Sequence, residues 1–209
     1  MPFLGYILTA LGAYLLGSIP TGFLVAKAKG IDIRSVGSGN IGATNAMRVL
    51  GKPAGIFVLV MDALKGYAAV WLASVLLQQS NVQADLETLR VIAGIGAVLG
   101  HNYTCWLKFK GGKGIATTAG VYLALAPWAL LAALGVFILA LLATRIVSVA
   151  SMSAAVALPV AVWVLTPHNY FLGIVTTALG ALAIYKHKSN IQRLIAGTEN
   201  RLGQKKEAQ

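Results

Sequence analysis

The stretch IATTAGVYLALAPWALLAALGVFILALLA, residues 115–143, decides how this chain folds. It is apolar almost throughout and too long for one membrane helix of roughly 20 residues. It also carries Pro127 near its middle. Proline ends or kinks a helix because it lacks an N–H and clashes with the preceding turn. Around this run lie further candidate spans at Phe3–Ala26, Pro53–Leu77, Leu89–Leu107, Val147–Leu165 and Asn169–Tyr185. Taken as one helix, the run makes six spans. Taken as two short segments, tilted or half-depth and turning at Pro127, it makes seven.

Charge parity selects seven. With the Lys27–Lys52 connection in the cytoplasm, Lys108–Lys113 returns to the cytoplasm after three spans, and Asp85, Glu87 and Arg90 fall outside. Seven spans then place Arg145 and the basic tail (Lys186, Lys188, Arg193, Arg201, Lys205 and Lys206) inside as well. All 17 cations except Lys65 and Arg90 are then cytoplasmic, which is the bias that orients membrane proteins. The expected fold is an all-α polytopic membrane bundle of seven segments, N-terminus external and C-terminus cytoplasmic, forming a single domain over residues 1–209.

Composition agrees with a bilayer as solvent. The chain has 209 residues, is 57% hydrophobic and only 11% charged, and has a mean hydropathy of +0.76. The net charge of +11 would suggest nucleic acid in a soluble protein. Here the basic residues cluster at the ends of apolar runs, so membrane lipid is the expected surface and nucleic acid is not. Cys105, the only cysteine, permits no intrachain disulfide. The N-terminus lacks a basic region and does not read as a cleaved signal peptide.

Three polar stretches interrupt the apolar runs and combine cations with glycines, amides or hydroxyls. In the first, Gly37, Gly39 and Gly42 permit a nest of backbone N–H groups, Ser38, Asn40, Thr44 and Asn45 add side-chain donors, and Arg48 suits a phosphate. A turn with a helix cap is the other reading. In the second, Lys110-Gly-Gly-Lys113-Gly114 precedes a helix near Ile115 whose positive end favours an anion. Snorkelling anchors would explain Lys108 but not Gly111-Gly112. His101, upstream, either faces that site or is a structural histidine. In the third, His187, Asn190 and Arg193 follow one helix face, and Glu199 either orients a cation or forms a surface pair. An amphipathic tail on lipid headgroups is the alternative there. Ser148, with Arg145 and Ser151, is a weaker polar patch, and Asp62 and Lys65 at i,i+3 read as an intramembrane ion pair. If the stretches share one face, they can build one anion site at the membrane surface.

No His/carboxylate cluster has metal-ligand spacing and no nucleophile elbow is present. The His-x4-Asp signature of many lipid acyltransferases is missing too: Trp106, Gly173 and Gln192 stand five residues after the histidines.

The ordered set Ser38-Gly39-Asn40…Gly42-Ala43-Thr44-Asn45…Arg48, Asp62…Lys65-Gly66, Gly100-His101, Phe109–Gly114 with Thr117, Arg145…Ser148, and His187…Asn190…Arg193…Gly197…Glu199 resembles the bacterial acyl-phosphate:glycerol-3-phosphate acyltransferases. The resemblance runs over essentially the whole chain. It implies transfer of an acyl chain from acyl phosphate to the sn-1 hydroxyl of glycerol 3-phosphate, giving lysophosphatidic acid and phosphate at the bacterial inner membrane, with the site facing the cytoplasm. It implies no cofactor or metal, and a soluble phosphate acyltransferase, the maker of the donor, as a transient partner. On this reading His187, Asn190, Ser38 and Asn45 are catalytic. Arg48, Lys110, Lys113, Gly39, Asn40, Thr44, Ser148 and Arg193 bind phosphate, and His101 and Glu199 are further candidates. An anion channel or transporter is the rival reading, with cations lining a path through the bilayer.

Overall fold

The computed structural model describes residues 2–79 and 84–203 and contains no strand among them. The tail lysines Lys205 and Lys206 lie outside the described residues. The helices are α1 (Pro2–Gly17), α2 (Thr21–Lys27), α3 (Ala43–Leu50), α4 (Lys52–Gln79), α5 (Leu86–Asn102), α6 (Ile115–Leu125), α7 (Pro127–Thr144), α8 (Val147–Leu165), α9 (Tyr170–Lys186) and α10 (Lys188–Ile195). They fall into two compact units, one ending at Pro127 and one starting at Trp128.

The run over 115–143 is two helices, as the proline requires: α6 stops at Leu125 and α7 starts at Pro127. With 11 residues, α6 is about 16 Å long, roughly half the hydrocarbon core. Of the other expected spans, one holds with a break inside it and one is shifted. The Phe3–Ala26 run breaks between α1 and α2, because Pro20 has no N–H and disfavours helical geometry at Ile19. The Leu89–Leu107 span begins earlier and ends at Asn102. Asp85 caps its start by accepting the Thr88 N–H at 2.7 Å, and a 3-10 turn follows at Cys105–Leu107.

In the first unit, α1 lies against α5 and α4, and α4 also packs on α3 and α6. Small residues make these approaches close, the usual device where lipid removes the hydrophobic drive between helices. A Cβ on Gly100 of α5 would fall on the Tyr14 carbonyl of α1, and one on Gly120 of α6 would fall on the Ala63 carbonyl of α4. Large apolar side chains such as Leu8, Leu11, Ile56, Leu64 and Trp71 point outward instead. In the second unit, α8 and α9 pack together, with Gly173 seated on the Trp163 indole. The α7 residues Trp128, Leu139 and Leu142 are exposed. Among the described residues, four helical stretches are long and apolar enough to cross a membrane: Phe3–Lys27, Lys52–Leu76, Pro127–Thr144 and Val147–Leu165.

Candidate active site

The first polar stretch is a loop closed by Asn45. This side chain is only 1% exposed. Its Oδ1 accepts the Ser38 N–H at 2.8 Å, and its Nδ2 lies 3.2, 3.1 and 2.9 Å from the carbonyls of Ile33, Val36 and Asn40. Gly37 takes a left-handed φ of 62°, and a Cβ there would collide with Asn45 Oδ1. Asn40 Oδ1 accepts the Gly42 N–H at 2.8 Å, just ahead of α3. The expected nest of loop amides is therefore corrected. The N–H groups of Ser38, Gly39 and Gly42 already serve Asn45, Val36 and Asn40. Asn45 itself, expected to be catalytic, spends its amide on the backbone of this loop. Ser38, Asn40 and Thr44 are half-buried, Gly39 is exposed, and Arg48 is exposed one helical turn beyond Thr44.

The second stretch turns back onto the end of α5. Gly111 N–H donates to the Asn102 carbonyl at 3.2 Å and Gly112 N–H to the His101 carbonyl at 3.0 Å. Lys108 and Phe109 hold left-handed φ values of 54° and 60° to make the turn. Lys110 is exposed and Lys113 half-buried, immediately before α6. His101 is buried at 5% exposure, and its Nδ1 lies 3.7 Å from Asp62 Oδ1. Asp62 also pairs with Lys65 at 2.8 Å, as its spacing suggested.

The third stretch is organised by Glu199, a buried carboxylate. It accepts Ser148 Oγ at 3.1 Å and Asn190 Nδ2 at 2.8 Å on Oε1, and Arg193 Nε at 2.7 Å on Oε2. The chain returns Glu199 to this place through a Schellman turn after α10. There Gly197 has φ 69°, its N–H donates to the Leu194 carbonyl, and the Thr198 N–H donates to the Arg193 carbonyl. Burial pushes the Glu199 carboxyl up. The three hydrogen bonds and the charge of Arg193 outweigh it and hold the group below the ordinary glutamate value. Glu199 is thus the hub of the second unit's polar cluster rather than half of a surface pair. His187 sits at the junction of α9 and α10, 2% exposed, with Nδ1 2.7 Å from the Ala183 carbonyl. A carbonyl can only accept, so Nδ1 carries a proton, and in the neutral ring the basic nitrogen is Nε2.

A family model described as glycerol-3-phosphate acyltransferase matches residues 7–197. The chain belongs to the glycerol-3-phosphate acyltransferase family. A glycerol-3-phosphate acyltransferase of Geotalea daltonii is 47% identical over 195 residues, covering 93% of this chain and 96% of the relative. That of Thermosynechococcus vestitus is 50% identical over 200 residues, 94% of each chain. Among solved structures, the glycerol 3-phosphate form of PlsY (YgiH), an integral membrane glycerol 3-phosphate acyltransferase, superposes with a TM-score of 0.85 at 39% identity, covering 95% of this chain and 96% of that one. Its lysophosphatidic acid form gives 0.82 at 38% identity. The chain is accordingly a multi-pass membrane protein with an all-helical fold.

Proposed function

We propose that this chain acylates the sn-1 hydroxyl of glycerol 3-phosphate, using acyl phosphate as donor, and acts as one catalytic domain over residues 1–209 at the bacterial inner membrane. The membership of the family carries the acceptor and the product. Acyl phosphate as donor rests on the resemblance of the ordered polar motifs to the acyl-phosphate-using enzymes, and the residues suit it. The buried clamps Asn45 and Glu199 hold polar loops in shape, while cations remain at their surface and no nucleophile elbow precedes them. An acyl phosphate is a mixed anhydride with a good leaving group, so positioning and charge stabilisation suffice.

The glycerol hydroxyl oxygen attacks the acyl carbonyl, the carbonyl carbon–phosphate oxygen bond breaks, and inorganic phosphate leaves. Arg48, Lys110 and Lys113 neutralise phosphate charge, with Ser38, Asn40 and Thr44 as side-chain donors beside Gly39. In the second unit, Ser148 and Arg193, held by Glu199, are the residues for phosphate. Asn190 and His187 orient the hydroxyl or the carbonyl. The proton goes to His187 Nε2 or to a phosphate oxygen of the substrates.

Purified protein in lipid, given acyl phosphate and glycerol 3-phosphate, should release phosphate and lysophosphatidate in equal amounts; no release would end this reading. Arg48→Ala should abolish turnover. If His187→Ala keeps full turnover, the proton goes to substrate phosphate. The cations favour a cytoplasmic site supplied by a soluble phosphate acyltransferase, and a reporter after Gln209 that reads as external would overturn that orientation.

A further inference from the structure

The reaction leaves one group of buried charges unused. Asp62 and Lys65 of α4 and His101 of α5 are 2%, 6% and 5% exposed within the first unit. A helical i,i+3 ion pair satisfies itself on one helix, yet this one reaches beyond α4 in two directions. Lys65 Nζ, 2.8 Å from Asp62 Oδ1, also donates to the Ile19 carbonyl at 2.8 Å. That carbonyl belongs to the break between α1 and α2, and α2 then leads into the first polar loop. On the other side, Asp62 Oδ1 lies 3.7 Å from His101 Nδ1. The opposite edge of that imidazole faces the second loop: a Cβ built on Gly112 would fall on His101 Nε2. The Gly112 N–H is bonded to the His101 carbonyl, and the Gly111 N–H to that of Asn102. The imidazole therefore lies between a carboxylate and the backbone of Gly112.

Charges in a membrane span are costly, and a buried pair is commonly no more stabilising than apolar residues of the same volume. Stability alone gives little reason for this cluster. Its contacts give another. We propose that Asp62 is a positioning residue for phosphate binding: through His101 it sets the Gly111-Gly112-Lys113 backbone, and through Lys65 it fixes the break at Ile19, after which α2, the helix that leads into the first loop, begins. The proposal rests on the reading that these loops hold substrate phosphate. It assigns Asp62 no contact with substrate.

The test is steady-state kinetics in lipid on Asp62→Asn/Lys65→Met, which removes both charges together and leaves neither uncompensated. The KM for glycerol 3-phosphate should rise about 10- to 100-fold, the scale of a small misplacement of binding groups. The kcat should stay within a few fold, and the thermal midpoint should stay near that of the parent. Adding Gly112→Ala, which displaces the imidazole from the other side, should raise KM strongly in the parent and little in the charge-free variant. Changes acting through one contact are not additive. A parental KM in the charge-free variant, or additive effects with Gly112→Ala, overturns the proposal while leaving the acyltransferase reading intact. Failure of the parent protein to acylate glycerol 3-phosphate overturns both. If the charge-free variant does not fold, His101→Gln, which leaves the Asp62–Lys65 pair standing, is judged by the same two criteria.

Discussion

The Asn45 loop and the Glu199 cluster solve the same problem with opposite means. Each must hold a polar segment still beside an apolar bundle. Asn45 is neutral and reads backbone: one N–H and three carbonyls converge on its amide. Glu199 is an anion and reads side chains: a hydroxyl, an amide and a guanidinium converge on its carboxylate. A neutral clamp fixes the path of the chain. A charged clamp fixes the side chains themselves, and its strength follows the state of one proton. Of the two clamps, sensitivity to charge and pH therefore belongs to Glu199, and sensitivity to backbone geometry to Asn45.

Replacing Glu199 by Ala should break this contrast most visibly. Ser148 and Asn190 lose a buried acceptor and Arg193 loses its counter-ion. Removing one partner of a buried ion pair costs about 3–5 kcal/mol. Because Arg193 keeps 31% side-chain exposure, the lower end of that range is expected. Thermal unfolding in detergent should show a large fall in midpoint, with turnover lost alongside. Glu199→Gln keeps an acceptor for Ser148 and Asn190 and should recover part of the stability but not the Arg193 pairing.

Asn45→Ala is the matching change in the first unit. It leaves the Ser38 N–H and the Ile33, Val36 and Asn40 carbonyls without their partner, at a cost of about 2–3 kcal/mol. Asn45→Asp should be worse than Ala, because a carboxylate would face three carbonyl oxygens. If Asp proved milder than Ala by thermal melt, the amide would not be reading those carbonyls.

Acidification should separate the two clamps without mutation. The Glu199 carboxyl is held below its ordinary value of 4.5, so the unfolded chain binds its proton first as pH falls. Its contribution is complete above about pH 4.5 and is lost as pH drops through the lower folded value. Melting curves from pH 7 downward should therefore show a loss in this window for the parent chain, and that component should be missing in Glu199→Gln. An unchanged profile in the variant would place the acid-sensitive group elsewhere.

How much of this could be read from sequence depends on the distance between partners. The split at Pro127 was legible because one residue type enforces it. The break at Pro20 follows the same chemistry, but it sits inside a run apolar enough to pass for one span. The left-handed glycines of the first loop were legible, while the fate of their amides was not. That fate depends on Asn45 reaching back across seven residues to Ser38. Glu199 was harder still. Arg193 and Asn190 lie on the neighbouring helix, but Ser148 is 51 positions away, and only the Schellman turn at Gly197 hints that the chain folds back. The Asp62–Lys65 pair was visible at helical spacing, whereas its third member, His101, comes from another helix.

The smallest expected effect tests the neutral clamp from its exposed flank. Asp32 and Arg34 form a two-point ion pair at 2.9 and 2.7 Å in the same loop, and Arg34 also lies over the Phe23 ring. Hydrogen bonds from the Arg34 guanidinium and its backbone N–H pull the Asp32 carboxyl down to about 2. Judged by that shift alone, the pair would look like a main support of the loop. Its side chains, however, are 43% and 46% exposed, so water and salt screen the attraction. Asp32→Asn should leave the melting midpoint and the KM for glycerol 3-phosphate unchanged at physiological salt. A clear fall in either would mean that residues 32–34 are held by this surface pair, and that the bonds from Asn45 to Ile33 and Val36 follow the loop's shape rather than set it.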